Sequence, residues 1–267
     1  MYKKTYVKIK LLLFLVVFLF LFVVYCVTMP IGDVHYREYT FHFFNMILLF
    51  ITMISILILE FQSYSKKDWV IASLFGLLSI GTTTPVNVTG IINGICVFFS
   101  YLASKTLYGD YDTGMELLNV KNVQEFLGDL KWMFIVSGYF ILIKFIRVYK
   151  SHKPFQFYLH WDALFQALGA SISEEIVFRL FLFAVVVHIR KGDVKLSFLA
   201  ILIMVLPFSL FHFVEVGIYE GILAAFINGM NLCIVITALT FLALKRNIFT
   251  AIGAHFLIDF ISFVFFK

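Results

Sequence analysis

Glu174, Glu175 and Arg179 stand within six residues in the segment EEIVFR, at the head of an apolar stretch that continues to Ile189. An ionised side chain in so hydrophobic a setting costs on the order of 2.5–3.5 kcal/mol even on lenient insertion scales, so three of them require partners or a task. The sixteen Asp and Glu otherwise fall almost entirely in loops or at the ends of apolar runs, Asp259 being the further exception. Among the seven His, His212 and His255 lie inside apolar runs and His188 near the end of one.

Helical spacing suggests how these groups divide the work. Glu175 and Arg179 are i and i+4, the reach of an ion pair, which leaves Glu174 about 100° around the helix and outside that pair. His212 closes FSLFH, five residues after Pro207, which is placed to bend its helix toward a cavity. His255 and Asp259, in HFLID, are again i and i+4 and share a face. Three helices would thus offer polar groups toward one interior point. A buried Glu with a neighbouring His is competent to deprotonate water, and donors from His255 and Asp259 suit a tetrahedral oxyanion. Together these imply hydrolysis.

Competing chemistries lack their residues. There is no HExxH, no GxSG-type serine paired with a buried His, and the pairs Gly109-Asp110 and Gly192-Asp193 lie in polar loops. A glutamate type remains. Glu174, Glu175, His212, His255 and Asp259 are also plausible ligands for a metal, so a metal-dependent membrane hydrolase is one alternative. A non-enzymatic scaffold or immunity protein, in which the motifs only maintain structure, is the other. The expectation adopted is an enzyme with no cofactor and no metal.

The elements that must position these groups follow from composition. With 267 residues, 62% of them hydrophobic and 14% charged, and a mean hydropathy of +0.98, the chain has more apolar surface than one soluble core could hide. An all-α, polytopic bundle of about eight transmembrane helices around an intramembrane polar cavity is expected. Apolar runs of membrane-spanning length lie near 11–28, 41–60, 132–148, 196–213, 221–244 and 248–266, with a further helix over 162–189. The run 69–104 is too long for one pass and is divided by Thr82, Thr83, Thr84 and Pro85, which predicts either two short spans or a broken one. An interfacial or re-entrant piece is expected between His152 and Ala170.

The chain divides into N-terminal helices with an acidic loop, 1–150, and a helical core bearing the motifs, 151–267. Gly109 to Leu130 reads as a solvated loop with a short amphipathic helix, and the Lys-rich N-terminus as the start of a retained first span rather than a cleaved leader. Cys26, Cys96 and Cys233 stand singly, so neither a disulfide framework nor a thiolate metal site is expected. The net charge of +5 sits mostly in short connecting segments, which suits loops facing an anionic leaflet and not a nucleic-acid site.

EEIVFR, FSLFH and HFLID resemble, in order, the EExxxR, FxxxH and HxxxN/D motifs of the CPBP family of intramembrane proteases. That family includes the Rce1-type CAAX prenyl endopeptidases and bacterial Abi proteins linked to bacteriocin immunity. The resemblance covers the chain from about Asp162 onward. It implies that Glu174 and His212 activate the attacking water, that His255 and Asp259 form the oxyanion side, and that Glu175 and Arg179 hold the motif helix. Prenyl-endopeptidase members carry Asn where this chain has Asp259, so Asp259 serves either as a neutral donor or as a carboxylate orienting His255. The resemblance implies a membrane peptide or membrane-protein substrate in a cell membrane. The Lys, Ile and Phe-rich composition points to a bacterial one.

Overall fold

The computed structural model describes residues 36–59, 64–83, 85–108, 117, 122–150, 157–189 and 222–265, with isolated positions at Leu13, Val16, Val17 and Phe20. The expected span 196–213 with Pro207 and His212, nearly all of the run 11–28, and Cys26 lie outside them. Every regular element among the described residues is helical. These are α1 (Tyr36–Leu59), α2 (Lys66–Ser79), a 3-10 turn (Ile80–Thr82), α3 (Val88–Tyr108), α4 (Val123–Lys150), α5 (Trp161–Glu174), π1 (Glu175–Phe181), α6 (Leu182–Ile189), α7 (Ile222–Lys245) and α8 (Ile248–Phe265). Because α5, π1 and α6 form one unbroken rod, the described residues make seven helices. Three of them, α3, α4 and α8, are long and apolar enough to cross a membrane.

Polar side chains placed one residue outside the apolar runs set several helix starts, by accepting hydrogen bonds from otherwise orphaned N–H groups. Ser65 and Asp68 form a capping box at α2. Asn87 Oδ1 accepts from Gly90 N at 3.1 Å, Asn122 Oδ1 from Glu125 N at 2.9 Å, and Asn247 Oδ1 from Thr250 N at 2.8 Å. The last cap is tied to α4, since Asn247 Nδ2 donates to Asp129 Oδ2 at 2.7 Å and Arg246 Nη1 lies 3.7 Å from Asp129 Oδ1. Here the structure departs from the sequence reading: α4 begins at Val123, nine residues ahead of the expected span, and Asp129 is buried in a contact with α8 instead of standing in a solvated loop. The short amphipathic helix expected in Gly109 to Leu130 is the first part of α4, and its acidic residue has a specific partner.

The run 69–104 is broken at the predicted place. α2 has 14 residues, or ~21 Å at 1.5 Å per residue, short of a hydrocarbon core of roughly 30 Å. The turn after it is fastened by Asn93, whose Nδ2 donates to Ser79 O at 3.2 Å and to Thr82 Oγ1 at 2.9 Å. α2 and α3 then run antiparallel with their backbones touching: a Cβ on Gly94 would lie 2.6 Å from Gly76 O, and one on Gly76 would lie 2.9 Å from Gly94 O. Small residues allow this close approach where no hydrophobic drive between helices operates. Lys105 Nζ lies 3.7 Å from Asp68 Oδ1, and Tyr64 and Thr106 share a hydroxyl–hydroxyl hydrogen bond, so the two ends of this hairpin lie together.

α3 is central to one half of the molecule, packing on α1, α2, π1 and α6, and α8 to the other, packing on α4, α5, α7 and π1. The 3-10 turn rests on α5 at Gly169, where a Cβ would come within 2.9 Å of Gly81 C. An exposed aromatic segment, Phe157 to Trp161, precedes α5 and is pinned to the end of α8 by Tyr158 N donating to Val264 O at 2.9 Å. A groove of about 490 Å³ between α4 and α7, lined by Trp132, Val136, Cys233, Ile234, Thr237 and Phe241 among others, contains none of the motif side chains and is not the expected polar cavity.

Candidate active site

The rod of α5, π1 and α6 delivers both motif carboxylates, and α8 delivers the imidazole they meet. His255 Nδ1 lies 2.8 Å from Glu175 Oε1, while its Nε2 lies 3.3 Å from Glu174 Oε2 and 3.2 Å from Asp259 Oδ2. One imidazole therefore touches three carboxyl groups. The helix is π-bonded over residues 175–181, beginning at the second glutamate, and short π segments are frequent at functional sites. The two consecutive glutamates keep α-helical backbone angles, φ −70°, ψ −40° at Glu174 and φ −68°, ψ −40° at Glu175, and their side chains reach opposite nitrogens of the same ring.

Burial separates their roles. Glu175 is 0% and Arg179 1% exposed, and Arg179 Nη1 donates to Glu175 Oε1 as the i,i+4 spacing leads one to expect. Arg179 Nε also donates to Thr240 Oγ1 on α7 at 3.3 Å, so the guanidinium bridges two helices. A carboxylate that already pairs with Arg179 is an acceptor, which places a proton on His255 Nδ1 and fixes the ring's orientation. Glu174 and Asp259 retain 21% and 23% side-chain exposure against 8% for His255, so the Nε2 edge is the approachable side of the cluster.

Charge counting constrains that edge. With His255 neutral and all three carboxyl groups ionised, the cluster with Arg179 would carry a net −2 in a weakly polarisable setting. A proton on Nε2, or on the carboxyl group facing it, reduces this to −1 and supplies the hydrogen that a 3.2–3.3 Å contact between Nε2 and the two carboxyl groups requires. The arrangement can hold one mobile proton between His255, Glu174 and Asp259. Among the described residues no group of three or more His, Cys, Asp or Glu side chains is arranged to hold a metal ion.

Of the sequence-predicted residues, Glu174, Glu175, Arg179, His255 and Asp259 are brought together, and His212 lies outside the described residues. The sequence reading kept Glu175 as a partner of Arg179 alone; its contact with His255 crosses 80 positions and had no local signal. Thr240, which completes the Arg179 environment, and Tyr108, whose Oη donates to Leu180 O at 3.0 Å, were likewise not anticipated.

Residues 156–261 match the model of a family described as Type II CAAX prenyl endopeptidase Rce1-like. No curated protein and no solved structure matches the chain significantly. The matched segment contains every motif side chain named above and excludes α1 to α4.

Proposed function

We propose, from the premise that residues 156–261 are Rce1-like, that this protein is a glutamate-type endopeptidase cleaving a peptide bond of a membrane-associated peptide or protein. The observation that carries the reading is the contact of Glu174 Oε2 with His255 Nε2 at 3.3 Å on the accessible edge of an otherwise buried cluster. Glu174 takes a proton from water as the water oxygen attacks the peptide carbonyl carbon, with His212 as the second activating group. The carbonyl oxygen becomes an oxyanion, and the one proton shared by His255 Nε2 and the Asp259 carboxyl group donates to it. Collapse breaks the C–N bond, the proton held by Glu174 passes to the leaving nitrogen, and an amine and a carboxylate result.

Glu175 does not touch the substrate in this scheme. It holds the Nδ1 proton of His255, and Arg179 holds Glu175, as the supporting carboxylate of an imidazole does in other hydrolytic sites. The N-terminal helices provide the wall against which π1 packs, and the bilayer concentrates the substrate.

The test uses the full chain in proteoliposomes with quenched fluorogenic peptides, one carrying a farnesylated C-terminal CAAX sequence and one the same sequence without the lipid. Cleavage that persists after thorough chelation and falls at least 100-fold in Glu174→Gln is the expected result, within the range for loss of a general base. Undiminished turnover by Glu174→Gln would refute the assignment. Preference between the two peptides tells whether a lipid is part of the substrate.

A further inference from the structure

The π segment that begins at Glu175 sets the azimuth of the turn bearing Glu174 and Glu175 relative to α6, so whatever holds that register helps to hold the site. A π segment shifts the hydrogen-bond register by one residue relative to the α-helix that follows, and the carbonyls at its end need donors from elsewhere or a bend results. At the end of π1 an outside donor is present. Tyr108, the last residue of α3 and 72 positions away in sequence, donates its hydroxyl to Leu180 O at 3.0 Å. α3 packs along both π1 and α6, and its side chains Leu102 and Leu107 are fully buried, so the hydroxyl is delivered by a rigid element.

We propose that Tyr108 is a positioning residue for the Glu174–Glu175–His255 cluster. Its hydrogen bond stabilises the π register of residues 175–181, and this register aims Glu174 and Glu175 at the two nitrogens of His255. An α-helical return in this segment would rotate the turn bearing Glu174 and Glu175 relative to α6, which α3 holds, and turn the carboxylates away from the ring. Tyr108 lies outside the matched segment 156–261, so the N-terminal region supplies this device to the motif-bearing core. The kinetic arm of the test rests on the endopeptidase reading; the spectroscopic arm does not.

Tyr108→Phe removes the hydroxyl and keeps the ring. With the peptides above, kcat should fall about 10-fold, the scale on which small misplacement lowers rates, while KM stays within about twofold because the substrate-binding surface is untouched. In protein labelled with 15N-histidine, the ring resonances of His255, assigned by their loss in His255→Gln, should shift in Tyr108→Phe. Incorporation of 4-aminophenylalanine at position 108 restores a donor on the same ring and should return both readouts toward the wild type, whatever the yield of the Phe variant. Unmoved His255 resonances in Tyr108→Phe, or identical behaviour of the Phe and aminophenylalanine variants, would overturn the proposal. Shifted resonances in a protein that hydrolyses neither peptide would uphold Tyr108 and count against the endopeptidase reading; Glu174-dependent cleavage with unmoved resonances would do the reverse.

Discussion

Replacing Glu175 by Gln should damage folding far more than replacing its neighbour Glu174. Arg179 is 1% exposed, and among the described residues its only carboxylate partner is Glu175. After Glu175→Gln the guanidinium keeps one hydrogen bond, from Nε to Thr240 Oγ1 at 3.3 Å, and an amide oxygen in place of a charge. Removing one member of a buried ion pair costs about 3–5 kcal/mol, because the remaining charge stays desolvated without compensation. Against a total stability of roughly 5–15 kcal/mol that is a large fraction. At about 2–4 °C per kcal/mol for chains of some 200 residues, the melting temperature should fall by roughly 6–20 °C. Glu174, at 21% exposure, retains solvent access, so Glu174→Gln should cost about 1 kcal/mol or less while abolishing turnover. Thermal unfolding in one detergent, followed by tryptophan fluorescence and by proteolysis, measures both variants side by side. The double variant Glu175→Leu with Arg179→Met, which leaves no orphan charge, should regain much of the lost stability. Equal melting temperatures for Glu174→Gln and Glu175→Gln would refute the division of labour between the two carboxylates.

Asp259→Asn should keep most of the peptidase activity and extend it to higher pH, because an amide donates to the oxyanion at any pH whereas a carboxyl group donates only while protonated; a pH–rate profile with Asp259→Asn impaired throughout would show that the ionised group orients His255 instead. Gly94→Ala should destabilise by about 1–3 kcal/mol, since its Cβ would lie 2.6 Å from the backbone oxygen of Gly76. Gly253→Ala should be far milder, because what its Cβ meets is the thioether of Met133, a side chain able to move aside; melting temperatures of the two variants decide. At the start of α2, burial pushes the Asp68 carboxyl up, but hydrogen bonds from Ser65 and the charge of Lys105 outweigh it and hold the group below its ordinary value. Its folded-state value being depressed, the associated stability is complete above the unfolded carboxylate range and is lost as pH falls through the folded value. Ser65→Ala should therefore cost about 1 kcal/mol near neutrality and less in acid, as unfolding at pH 7 and pH 3 would show.

Much of this architecture was legible because apolar run length, helical spacing and polar punctuation are local properties. The boundaries of α7 and α8, the break at Thr82 to Pro85, and the spacing of Glu175 with Arg179 and of His255 with Asp259 could all be read without tertiary information. What could not be read is long-range or non-standard. The π register has no compositional signature, and the contact of Glu175 with His255 joins residues 80 positions apart, so the sequence points only Glu174 toward the imidazole. The short amphipathic helix expected within Gly109 to Leu130 is continuous with the span after it, and Asp129 looked solvated because nothing local announces Asn247, 118 positions later. Tyr108 and Thr240 are single polar residues in apolar helices, a pattern many packing residues share.

The closed ends of the α2–α3 hairpin settle which loops share a side. Residues 64–68 and 105–108 lie together, so the hairpin makes no net crossing. The contacts of Asp129 with Arg246 and of Tyr108 with Leu180 then gather the start of α4, the π1 segment of the motif rod and the α7–α8 corner toward that same end. Lys66 with Lys67 and Lys245 with Arg246 belong to this end, whereas Lys144 and Lys150 stand toward the opposite one. Were these basic pairs to face the cytoplasm, as basic loops prefer, this end would be the cytoplasmic face. His255 is seven residues into α8 from that face, a depth of ~10 Å. A scissile bond would have to descend about two helical turns below the cytoplasmic surface to be cut, and Trp161, with its neighbouring aromatic residues, would mark the opposite leaflet.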